Sequence, residues 1–158
     1  MQCRDKQGIP FEVKACESAD LSLLCEMYDV FSPKGKFQGM PPVTPGACRE
    51  WIGHLVFVGE NYMALREGGA IGHVVVIPDT PAKEGEYLIF VSREERNRGV
   101  GSRLTESAVA RALELGLHML WLSVGTYNFP AIALYRKFGF SFRPDDRGES
   151  ERTMYLKL

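Results

Sequence analysis

Four arginines, two glutamates and two glycines crowd the stretch "VSREERNRGVGSRL", Val91 to Leu104, between an apolar run and a helical pattern. Gly99 and Gly101 let a ligand approach the main chain where a Cβ would obstruct it. A helix start presents free N–H groups and the positive end of the macrodipole. Arg96 and Arg98 could add charge-assisted contacts to phosphate oxygens. Together these features describe a phosphate cradle. Two nucleotide readings fail on residues. No Gly-Lys-Ser/Thr is present for a P-loop, and Leu104 stands where a dinucleotide fingerprint needs a third small residue. A solvated, charged turn that opens a helix is the plain alternative.

Further along, "NFPAIALYRKFGF" carries Asn128, Ala131 and Tyr135, then Gly139-Phe140. This segment and Arg96-x-x-Gly99-x-Gly101, in this order and separation, resemble the two signatures of the GNAT superfamily of acyl-CoA N-acyltransferases. The likeness runs from about Phe11 to Leu158. Arg93 and Glu95 depart from it, standing where such families often carry Pro and an aromatic residue.

The resemblance implies acetyl-CoA as co-substrate, with its pyrophosphate on the backbone amides of Arg96, Asn97, Arg98, Gly99, Val100, Gly101 and Ser102. It implies main-chain pairing of the pantothenate arm with Phe90 and Val91, and further contacts from Asn128, Ala131 and Tyr135. Asn128 also suits a helix N-cap two residues before Pro130. Tyr135 is the expected general acid, since a phenol with pKa about 10 can return a proton to a departing thiolate. It equally suits the core stripe of a short helix with Ile132 and Phe138. Arg93, Arg103, Arg136 and Lys137 are candidates for the adenosine phosphate, or plain solvated charges.

An amine of pKa about 10.4 must lose a proton before it can attack. Glu86 lies close to where some members keep a catalytic Glu, although alternation sets it on the face opposite Val91 unless a bulge intervenes. His73 and a water relay are the other candidates for the base. The acceptor is a primary amine on a small molecule or a protein lysine; a non-catalytic CoA-sensing domain is the rival from another class. The loop Phe31 to Val43, with Phe31, Phe37 and Met40, resembles the segment that shapes the acceptor side, and Lys34 and Lys36 would suit some negative charge there. Its opening "FSP" resembles bacterial protein-lysine acetyltransferases over three residues.

The elements that must position these residues follow from patterning. "FEVKAC" (Phe11 to Cys16) alternates as a strand. Ser18 is placed to cap a helix bearing Leu21, Leu24, Cys25 and Tyr28, and Thr44-Pro45 opens a short second helix. Tyr62 to Pro78 reads as a hairpin about Glu67-Gly68-Gly69. "EYLIFV" (Glu86 to Val91) is apolar enough for a strand covered on both faces. A helix with Val100, Leu104, Ala108, Ala112 and Leu115 on one stripe ends at Gly116. Strand His118 to Val124, a helix from Pro130 to Gly139, and strands "FSFR" and "RTMYLKL" complete the chain.

A strand–helix–strand unit inside hairpins makes an α+β domain spanning 1–158. The resemblance sharpens this to a mixed, mostly antiparallel sheet with a central splayed parallel pair and helices on both faces. The 158 residues carry a net charge of -1, an isoelectric point near 6.3, 45% hydrophobic and 25% charged side chains. That is ordinary soluble composition without the basic excess of a nucleic-acid binder. Cys3, Cys16, Cys25 and Cys48 form no CxxC pair and match no zinc spacing, so no metal is expected. No apolar run approaches the ~20 residues of a membrane span, and the polar start "MQCRDKQGIP" lacks a signal-type core. The expected setting is cytoplasmic, without nucleic-acid or membrane partners; dimers are common among proteins of the kind it resembles.

Overall fold

The computed structural model describes residues 1–35 and 39–158; the expectations for Lys36 and Phe37 fall outside them. Eight strands form one sheet: β1 (Gln2–Arg4), β2 (Pro10–Ala15), β3 (Glu60–Arg66), β4 (Gly69–Asp79), β5 (Glu84–Val91), β6 (Met119–Gly125), β7 (Ser141–Phe142) and β8 (Glu151–Lys157). Their spatial order is β1-β2-β3-β4-β5-β6-β8-β7. Every neighbouring pair is antiparallel except β5 and β6. The helices are α1 (Leu21–Asp29), α2 (Pro45–Val58), α3 (Val100–Glu114) and α4 (Phe129–Lys137).

Each sheet face buries its own cluster. On one face, Leu24, Met27 and Tyr28 of α1 and Cys48 and Ile52 of α2 pack on Met63 and Phe90. On the other, Val100, Leu104, Ala108 and Ala112 of α3 and Ile132 and Tyr135 of α4 pack on Val74, Val76 and Tyr87. The stripe expected on α3 is the buried one, and Gly116 closes that helix at φ +73°. β5 is therefore covered on both faces, as its apolar run anticipates.

The sequence reading falls short at three places. β1 pairs with β2 across a turn that the polar N-terminus conceals. Ser18 opens a 3-10 turn rather than capping a helix; Glu17 and Asp20 share the cap, the Asp20 carboxylate accepting the Glu17 N–H at 2.9 Å. α2, expected to be short and to run through Trp51 and Ile52, extends to 14 residues, because Leu55 continues its buried face past Ile52. Among the described residues, no helix is long and apolar enough to cross a membrane.

The parallel pair sets up the site. β5 and β6 hold register only from Glu84↔Met119 to Glu86↔Trp121. Beyond that point β5 continues to Val91 and β6 to Gly125 without pairing to each other, so the strands diverge toward their C-terminal ends. The main chain of Tyr87 to Val91 is left with one edge that no strand covers.

Candidate active site

A cleft of about 870 Å³ opens where β5 and β6 part. Ile89, Phe90 and Val91 form one wall, Ser123, Val124 and Gly125 the other. Asn128, Ala131, Leu134 and Tyr135 come from α4, and Phe31, Pro33, Met40 and Pro41 close the side nearest α1. The expected residues Asn97, Gly99, Gly101 and Ser102 also line it.

The loop after β5 builds the cradle by backbone conformation. Asn97 (φ 63°) and Gly99 (φ 93°) are both left-handed, the kind of backbone conformation from which anion nests are built. Among the described residues, no backbone acceptor takes the amides of Asn97 through Ser102; the first such bond at the helix start is Arg103 N–H to Gly99 C=O, 3.3 Å. Gly101 serves packing instead. A Cβ there would lie 3.2 Å from Leu134 and 3.7 Å from Val91, so its absence lets α4 sit close to the start of α3. Thr105 anchors that turn, donating to Gly101 C=O at 2.7 Å while sharing a 2.7 Å hydrogen bond with Tyr87. Unpaired amides, a bare helix start and an uncovered strand edge in line fit an extended ligand with a diphosphate.

The arginine side chains behave differently from expectation. Arg98 turns away from the cleft into an ion network, 2.7 Å from Asp5 and 3.5 Å from Glu95. Arg96 lines the cleft, but its guanidinium donates to Val91 C=O (2.9 Å) and Ser32 C=O (2.6 Å) and lies 5.4 Å from the Phe31 ring. It ties the segment after α1 to the cradle. Val100 is fully buried, so its side chain does not line the cleft. Lys137 reaches the cleft and bonds Ser102 Oγ at 2.9 Å. Arg103 is paired with Glu106, and Arg136 lies over Phe142; neither lines the cleft, nor does Arg93.

Three tyrosines are fully or nearly buried, and their hydroxyls differ. Tyr28 bonds His73 Nδ1 at 2.7 Å and Tyr87 bonds Thr105. Tyr135, packed edge-on to Tyr87, has no hydroxyl partner among the described residues. Yet its oxygen is not sealed off, because the enclosed, unpartnered side-chain polar atoms are Arg66 Nε and Arg98 Nε. Burial raises its pKa above the ordinary phenol value, so it remains a protonated donor at neutral pH. Asn128 caps α4, its Oδ1 accepting the Ala131 N–H at 3.4 Å, while still facing the cleft.

For the base, His73 is eliminated. It is fully buried, with Nδ1 on Tyr28 and Nε2 on Asn61 Oδ1 at 2.8 Å, and burial drives its pKa down to about 3. Glu86 stands at the last paired rung, beside Trp121 at the apex of the splay. The β4–β5 register runs unbroken from Gly72↔Val91 to Asp79↔Glu84, so no bulge brings Glu86 to the Val91 side. It is half-buried, lies outside the cleft lining, and desolvation raises its pKa. Lys6 lines the cleft and was invisible to motif reading. The signal for it was Asp5 and Gly8 in "RDKQGIP", a turn pattern of the Asx kind that places Lys6 between two strands.

The family model "Acetyltransferase (GNAT) family" matches residues 24–140. The chain belongs to the GNAT family of acetyltransferases. It is 27% identical over 135 residues to "Putative phosphinothricin acetyltransferase YwnH" of Bacillus subtilis (strain 168), covering 82% of this chain and 83% of that one. The GNAT domain of S. lividans PAT superposes with a TM-score of 0.86 at 20% identity, over 100% of this chain and 96% of the other. A phosphinothricin acetyltransferase from Sinorhizobium meliloti, solved in complex with AcCoA, gives 0.74 at 22% identity, over 94% and 88%. This GNAT protein is thus an acyltransferase by family, and its eight-stranded sheet with one parallel pair is the family's fold.

Proposed function

We propose that this GNAT protein, acting as one domain, transfers acetyl from acetyl-CoA to a primary amine by direct attack in a ternary complex. The observation that carries the reading is the unoccupied Tyr135 hydroxyl on the wall of a cleft lined by unpaired amides. The amides of residues 97–102 would hold the pyrophosphate, the Arg96 N–H being taken by Arg93 C=O at 3.4 Å, and the edge of β5 at Phe90 and Val91 that no strand covers would pair with the pantetheine arm. Asn128 adds a polar contact from the start of α4.

Bound acetyl-CoA supplies a thioester whose C–S bond breaks as the amine nitrogen forms a new C–N bond. Tyr135 then donates its phenolic hydrogen to the departing sulfur and recovers a proton from solvent in the cleft. Since a raised phenol pKa makes full transfer to a thiolate of about 8.5 uphill, donation accompanies the build-up of charge rather than preceding it. Glu86, its carboxyl shifted toward neutrality by desolvation, removes the amine proton. A water passes that proton, because Glu86 does not itself line the cleft. Small-molecule amines are the favoured acceptors, in keeping with relatives named for such substrates.

Thermal-shift comparison of acetyl-CoA, ATP and NAD, followed by free-thiol release across a panel of amines, tests this. Stabilisation by acetyl-CoA alone, with amine-dependent thiol release, is the expected result. Stabilisation without release from any amine would favour the sensor reading.

A further inference from the structure

The turn between β1 and β2 reaches the cleft from a side that neither signature covers. Asp5 Oδ1 accepts the Gln7 and Ile9 amides, each at 2.9 Å, which closes the turn. Its Oδ2 is held by Arg66 at 2.9 Å and by Arg98 at 2.7 Å, and the carboxylate has no solvent exposure. Glu95 completes the ring, 2.9 Å from Arg66 and 3.5 Å from Arg98. The main chain adds a bond of its own, Lys6 N–H to Arg98 C=O at 2.9 Å. The turn is thereby clasped to the cradle loop by both backbone and side chains.

What the clasp positions is Lys6. Its stem runs along the bare main chain of Gly99, with Cγ 3.7 Å from where a Cβ on that glycine would stand. Lys6 lines the cleft beside Asn97, Gly99 and Ser102. The nearby guanidiniums of Arg66 and Arg98 are occupied by Asp5 and Glu95, whereas the Lys6 ammonium has no ion-pair partner among the described residues. Lys137 reaches the same cradle, donating to Ser102 Oγ at 2.9 Å. Two lysines thus line the cleft with the cradle amides, and the negative charge of Glu95 is paired with Arg66 and Arg98 before it can repel an anion.

Resting on the acyl-CoA reading above, we infer that Lys6 is a phosphate-binding residue of this site and that Asp5 is its positioning residue, acting through Arg98. The contact is with the pyrophosphate, which the amides of residues 97–102 address.

Binding of CoA, 3′-dephospho-CoA and pantetheine, measured calorimetrically for wild type, Lys6→Gln and Lys6→Arg, decides the matter. Lys6→Gln weakens CoA and 3′-dephospho-CoA alike, by about two- to fivefold, the size of one exposed charge contact. The loss shrinks at high salt, Lys6→Arg restores affinity, and pantetheine is unaffected. Asp5→Asn reproduces the loss for CoA, and combining it with Lys6→Gln adds little, as expected of two residues acting through one contact. Unchanged CoA affinity in Lys6→Gln overturns the proposal, as does an equal loss for pantetheine or a loss confined to CoA. A wild-type protein that binds none of the three ligands overturns the acyl-CoA reading together with it.

Discussion

At the scale of single residues, the enclosed Tyr135 and Tyr28 should respond oppositely to loss of one oxygen. The Tyr135 hydroxyl serves no protein partner among the described residues, so Tyr135→Phe removes nothing that the fold uses. Its turnover should drop at least ~100-fold, the low end for a positioned acid, with acetyl-CoA affinity and melting temperature nearly unchanged. Tyr28→Phe, by contrast, leaves buried His73 Nδ1 unpaired and should destabilise by about 1–3 kcal/mol. Steady-state rates and urea denaturation on both variants check the pair. Equal rate losses in the two would deprive Tyr135 of its special role. Glu86 and His73 teach the same lesson from the other side. Both are plausible bases as letters in a strand, but hydrogen-bond partners and desolvation, which cross-strand neighbours impose, separate them.

At the scale of elements, the cradle depends on two left-handed residues and a close helix approach. Ala at Gly99 would have to hold φ near 93°, a region that side chains with a Cβ rarely adopt. Gly99→Ala is expected to lose about 1–2 kcal/mol of stability and to weaken acetyl-CoA binding by roughly tenfold, because the loop relaxes and its amides lose their common aim. Asn97→Gly should bind as well as wild type, since glycine accepts φ 63° without strain. Denaturation curves and titration calorimetry measure both effects. Much of this element was legible from the letters: Gly99, Gly101, the α3 stripe and the order of strands all announce it locally. Arg98 was not, because its partner Asp5 is remote in sequence and the clasp exists only once β1 pairs with β2. The polar N-terminus hides that strand, whose residues are mostly exposed. The length of α2 was obscured by a loop rich in Pro and Gly just before it.

At the scale of the whole molecule, the two faces of the sheet have separate work, and His73 makes one of them sensitive to acid. The cradle and Tyr135 lie with α3 and α4, whereas His73 is enclosed under α1, where it joins Tyr28 to Asn61 of β3. Desolvation holds its pKa down to about 3, against about 6.5 in an unfolded chain. Between those values the unfolded state binds the extra proton, so folding stability is complete above pH ~6.5 and declines as the pH falls. The decline approaches 1.36 kcal/mol per pH unit at most for one proton. Asp5, Asp20 and Asp146 have lowered pKa values, so their contributions are present above the ordinary carboxylate value of 3.8 and are lost only in stronger acid. Between pH 6.5 and 4 the histidine therefore supplies the falling limb; Glu86, whose pKa desolvation raises, takes up its proton first in the folded state and acts with the opposite sign. Trp51 packs edge-on to Tyr28 and Phe90 and supplies a fluorescence signal from the same cluster. Urea unfolding followed through it should give stabilities that fall across this interval in wild type. His73→Gln should start lower but show a markedly flatter pH slope, and comparing slopes removes the cost of the substitution itself. A slope equal to wild type would mean that His73 is not the group taking up the proton.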